Sequence, residues 1–70
     1  MITDQIRKGI KIALATDGKT MREVCRTTEM PESTVYRFMG GNNDISVVRL
    51  DRFLREGFSR TLMDILEIGK

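Results

Sequence analysis

Pro31, the chain's single proline, falls in the middle of a sequence whose apolar residues recur every three to four positions. A proline drives the residue before it out of the helical region, so Met30 is extended and a helix approaching from the N-terminal side must stop there. Helical spacing then resumes at once, with Val35, Phe38 and Met39 at i, i+3 and i+4. The result is two short helices whose connection is too short to let them lie antiparallel. They must cross steeply, and the second is left with a polar face that the first does not cover.

The remaining segments carry the same periodicity, and none alternates with a period of two, so the expected class is all-α. A first helix runs from about Thr3 to Thr16, with Ile2, Ile6, Ile10 and Ala13 on one face and Asp4, Arg7, Lys8 and Lys11 opposite. It closes at Asp17-Gly18-Lys19, where glycine tolerates the left-handed conformation. Thr20-Met21-Arg22-Glu23 reads as a capping box opening the second helix, which turns Met21, Val24, Cys25 and Thr28 inward. The third helix spans about Glu32 to Met39. At about 100° per residue, Ser33, Tyr36, Arg37 and Gly40 fall on its outer side. After the turn-rich Gly40-Gly41-Asn42-Asn43-Asp44, Ser46 caps a fourth helix with Val47, Leu50, Phe53 and Leu54 on its buried stripe and Gly57 as its stop. Ser59 is the expected cap of a fifth, which groups Phe58, Leu62, Ile65 and Leu66, with Met63 and Ile68 flanking.

Composition narrows the function. A chain of 70 residues has one domain's worth of core at most, covering 1–70, and is marginal alone, so a partner surface would help it. Histidine is absent, which removes the commonest general base and metal ligand together. The single cysteine, Cys25, has no partner for an internal disulfide or a metal cluster and reads as a small buried residue. No catalytic triad, phosphate loop or ligand cluster can be assembled, so neither an enzyme nor a cofactor, metal or small-molecule site is expected. No apolar run reaches the roughly 20 residues of a membrane span, which points to a cytoplasmic chain. Eight of the twelve basic residues are arginine, a bias that suits phosphate and guanine contacts.

The segment from about 20 to 40 is the physical description of a helix-turn-helix unit. Cys25 supplies the small side chain needed where the two helices press together. Val24 precedes it, Met30 follows the turn, and Val35 and Phe38 anchor the third helix. The run Pro31-Glu32-Ser33-Thr34-Val35-Tyr36-Arg37-Phe38 resembles the start of recognition helices in bacterial and phage repressors. Asp44-Ile45-Ser46 through Leu50-Asp51-Arg52-Phe53-Leu54 to Gly57 looks like the helix that follows in them. From about Thr3 to Gly57 the chain resembles the xenobiotic-response-element (Cro and phage-repressor) family of helix-turn-helix transcription regulators. That implies a compact bundle of four or five helices, a lambda-repressor-like DNA-binding domain. Glu29 stands where the family usually has glycine, at a cost on the order of 1 kcal/mol if left-handed, and Pro31 replaces the usual capping serine.

The resemblance implies double-stranded DNA as partner, with the third helix in the major groove. The base readers would be Glu32, Ser33, Tyr36 and Arg37: arginine pairs bidentately with guanine, glutamate accepts from cytosine, serine bonds base edges, and tyrosine offers a hydroxyl and a ring. Thr20 and Met21 would hold a phosphate at the start of the second helix, and Arg22, Gly41, Asn42 and Asn43 would reach flanking phosphates. Such a protein is expected to be a repressor and a homodimer, with 58–70 as the candidate dimerisation segment. The competing reading is a protein-interaction module, an adaptor or antitoxin-like partner that keeps the bundle without reading DNA. Low net charge and the acidic Glu29 and Glu32 favour it.

Overall fold

The computed structural model describes residues 2–41 and 45–70. These form five helices and no strand: α1 (Ile2–Asp17), α2 (Met21–Thr28), α3 (Glu32–Met39), α4 (Val47–Phe58) and α5 (Leu62–Ile68). The all-α class and the five-helix count follow the apolar spacing. One buried cluster joins all five helices, built from Ile6, Ile10, Ala13, Val24, Cys25, Val35, Phe38, Leu50, Phe53, Leu54, Phe58 and Ile65. The rings of Phe53 and Phe58 meet edge to face, with centroids 5.8 Å apart.

Two helix pairs carry most of the packing. α5 packs on α1, and α2 packs on α4. Both contacts are close because a glycine stands at each crossing. A Cβ at Gly9 would run into the backbone carbonyl of Ile65, and one at Gly57 would run into the Val24 side chain. At Gly9 backbone meets backbone, while at Gly57 the α4 backbone meets the Val24 side chain.

Several boundaries depart from the sequence reading. Gly57 does not stop α4; it is buried inside that helix, where its missing side chain makes room for α2. The helix ends one residue after it, at Phe58, and Ser59 takes the left-handed position at φ 55°. Ser59 is therefore the C-cap of α4 and not the N-cap of α5. Thr61 holds that role in a reciprocal capping box: its hydroxyl accepts from the Asp64 amide, and the Asp64 carboxylate accepts from the Thr61 amide. Val47 and Ile2 sit on the apolar faces of their helices yet are exposed, because each lies in a first turn that precedes the first core contact, at Leu50 and Ile6 respectively.

Salt links tie helix ends to neighbouring elements. Arg60 forms a two-pronged bridge to Asp17, with Nη1 2.6 Å from one carboxylate oxygen and Nη2 3.1 Å from the other. This hydrogen bonding holds the Asp17 carboxyl below its usual range. Lys19 Nζ donates to the Gly57 carbonyl at 3.0 Å, and Arg52 Nη2 donates to the Thr28 carbonyl at 3.4 Å. Cations thus satisfy carbonyls in the last turns of α2 and α4, where the helix dipole favours positive charge.

Candidate nucleic-acid interface

The α2–α3 connection is three residues long, Glu29 to Pro31. Glu29 adopts the left-handed conformation, φ 57° and ψ 29°. Its amide bonds the Arg26 carbonyl at 3.3 Å and the Met30 amide bonds the Cys25 carbonyl at 3.0 Å, the pair of bonds that closes a Schellman-type helix end. Pro31 is extended at φ −61° and ψ 130° and begins α3 without a side-chain cap. The glutamate at the tight turn and the proline at the helix start are both accommodated.

The chemistry of the turn determines what α3 shows. Val35 and Phe38 are buried, while Ser33, Tyr36, Arg37 and Gly40 are exposed; Tyr36 keeps 55% of its surface in solvent. Three of the four residues expected to read bases therefore share one uncovered ridge. The fourth, Glu32, is only partly exposed, and its carboxylate lies 3.4 Å from Arg22 Nε on α2. That ion pair engages a base-reading candidate with a phosphate-binding candidate.

At the start of α2, the Thr20 hydroxyl accepts from the Glu23 amide at 3.2 Å, and the Glu23 carboxylate reaches the same hydroxyl at 3.2 Å. Thr20 is a working cap. The amides of Met21 and Arg22, in the first turn, have no intrahelical acceptor, and the Met21 side chain packs on the core edge. Gly41 is exposed with φ 81°, while Asn42 and Asn43 lie outside the described residues.

Cys25 is 2% exposed, and burial, helped by the Glu32 carboxylate, pushes its thiol above the ordinary 9.0. A thiol so held serves as a small packing group in the core. Among the described residues, no cluster of three or more His, Cys, Asp or Glu side chains is arranged for a metal, and no helix is long and apolar enough to cross a membrane.

Two shallow depressions open at the two ends of α3. Between α2 and α3, the walls include Arg22, Arg26, Glu29 and Glu32, a balanced set. Between α1 and the end of α3, the walls include Asp4, Arg7, Lys8, Lys11, Gly40 and Gly41. Arg7 belongs here and not on the solvent face assigned to it by helical spacing. Its Nε donates to the Phe38 carbonyl at 2.6 Å, its guanidinium stands 4.8 Å from the Phe38 ring centroid, and Nη1 meets Asp4 at 3.1 Å. It therefore straps α1 to the C-terminal end of α3. Periodicity cannot reveal this role, because a long polar side chain at the edge of an apolar stripe can reach either way. The positions of Lys8 and Lys11 beside α3 depend equally on how α1 crosses it.

No protein family matches the chain, and no curated protein or solved structure shows significant similarity to it.

Proposed function

We propose that the chain is a small transcription regulator, a cytoplasmic repressor of the Cro and phage-repressor kind. It binds specific double-stranded DNA with α3 in the major groove and has no enzymatic activity of its own. The observation that carries this reading is the uncovered ridge of α3: Ser33, Tyr36 and Arg37 face solvent while Val35 and Phe38 of the same helix are buried. That two-turn helix offers donors, acceptors and a ring to solvent, and the major groove is wide enough to receive such a rod. Thr20, Met21, Arg22, Gly41, Asn42 and Asn43 serve phosphates on this reading. The partner copy of a homodimer would dock on α5, where Met63 is 70% exposed.

The reading is tested by selecting bound sites from random duplex DNA and repeating the selection with Arg37→Ala. The variant is expected to lose preference at one base pair by about 1–3 kcal/mol while keeping the rest of the site. An unaltered preference would remove Arg37 as a reader. The protein-interaction reading rests on the balanced α2–α3 depression, where Glu29 and Glu32 offset Arg22 and Arg26. It gains if no duplex is retained at low salt.

A further inference from the structure

We propose that Lys8 and Lys11, on α1, grip the phosphodiester strand of the duplex that borders the C-terminal end of α3, a contact absent from the set given by helix-turn-helix resemblance. This inference rests on the DNA-binding reading and deepens it, by naming which side of α3 carries the electrostatic attachment. Among the described residues, the depression between α1 and the end of α3 is lined by three cations and one carboxylate, an excess of two positive charges. That carboxylate, Asp4, is engaged by Arg7, and Arg7 is engaged in turn by the Phe38 carbonyl and ring. Lys8 and Lys11 are exposed and in no ion pair with a described carboxylate, so both ammonium groups remain available.

The floor of the depression suits a strand as well as the charge does. Gly40 and Gly41 carry no side chain, and both are exposed, so a polyanion can approach the backbone there. Spaced at i and i+3, the two lysines share one side of α1. The depression at the other end of α3 is charge-balanced, with Arg22 held by Glu32. The charge excess at the C-terminal end therefore adds an attachment to the phosphate contacts proposed at the start of α2. A protein partner offering a carboxylate patch would match the charge too, but the lysines border the C-terminal end of the same helix that exposes Ser33, Tyr36 and Arg37, which favours a ligand that presents base edges as well as anions.

Binding is measured by fluorescence anisotropy on the duplex recovered by selection, from about 50 to about 200 mM salt, for wild type, K8Q/K11Q and K70Q. Each lost phosphate contact flattens the log–log salt slope by about 0.9, so the double variant is expected to flatten it by about 1.8. The affinity gap between wild type and K8Q/K11Q then narrows about twelvefold across that range, with base preference unchanged. Lys70 pairs with Glu67 after α5, and K70Q is expected to keep the wild-type slope. A K8Q/K11Q protein, folded by circular dichroism, that keeps both the wild-type slope and affinity overturns the lysine contact and leaves the DNA reading standing. A slope flattened equally by K70Q shows a general charge effect and also overturns it. Failure of the wild type to hold any duplex at the lowest salt removes both.

Discussion

Glu29 occupies a left-handed position that costs an L-residue roughly 1–2 kcal/mol, and only part of this returns as entropy when glycine takes its place. Glu29→Gly is therefore expected to stabilise the chain by about 1 kcal/mol, which for a domain of this size raises the melting temperature by roughly 4–8 °C. Thermal unfolding checks this directly; an unchanged or lower midpoint would show that the strain does not exceed the entropy cost of glycine. Asp17 gives a second prediction at the same scale. Its carboxyl is held below the ordinary 3.8, first by the hydrogen bond from Arg60 and then by the charges of Arg60 and Lys19. A depressed carboxylate contributes stability that is complete above its unfolded pKa and is lost as pH falls through the folded one. Asp17→Asn should thus lower stability at neutral pH and flatten the acid side of the profile below about pH 4. Urea midpoints between pH 2 and 7, compared for the two proteins, read the difference.

At the level of elements, the α1–α5 crossing is set by Gly9. A methyl group there meets the Ile65 carbonyl, which is backbone and cannot rotate aside, so α5 must move away from α1. Gly9→Ala is expected to destabilise by about 1–3 kcal/mol despite the better helix propensity of alanine, because overpacking outweighs a propensity gain of up to about 1 kcal/mol. Chemical denaturation measures the net sign; a stabilised variant would mean that the two helices separate freely. The connection between α2 and α3 was legible from Pro31 and the spacing of Val35 and Phe38, since proline stereochemistry acts within two residues. The end of α4 was not. Glycine is a common helix stop, yet Gly57 is a packing glycine, and a sequence carries no local mark that separates the two roles. For the same reason Ser59 reads locally as the start of the next helix, whereas the capping pair is Thr61 and Asp64.

For the whole molecule, a 70-residue chain has a small core, and large apolar side chains remain outside it: Ile2, Val47, Val48 and Met63 are all at least 63% exposed. Association through α5 is the expectation that follows for the proposed regulator, since a second copy would cover Met63 and raise the stability of each protomer. Sedimentation equilibrium up to high micromolar concentration should show a monomer–dimer equilibrium, and Met63→Glu should shift it to monomer. A wild type that stays monomeric with and without DNA removes the dimer.

Local signals in the chain were enough to specify its helices, the tight α2–α3 turn and the outward face of α3. Helix periodicity, proline geometry and capping act over a few residues and can be read along a string. Other features needed the helices to meet. Gly57 became a contact surface only against Val24, Arg7 found Phe38 across a gap of 31 positions, and Lys8 and Lys11 came to border Gly40 and Gly41 only once α1 was laid beside α3. Contacts between residues distant in sequence depend on how helices cross, and crossing geometry is a property of the assembled core.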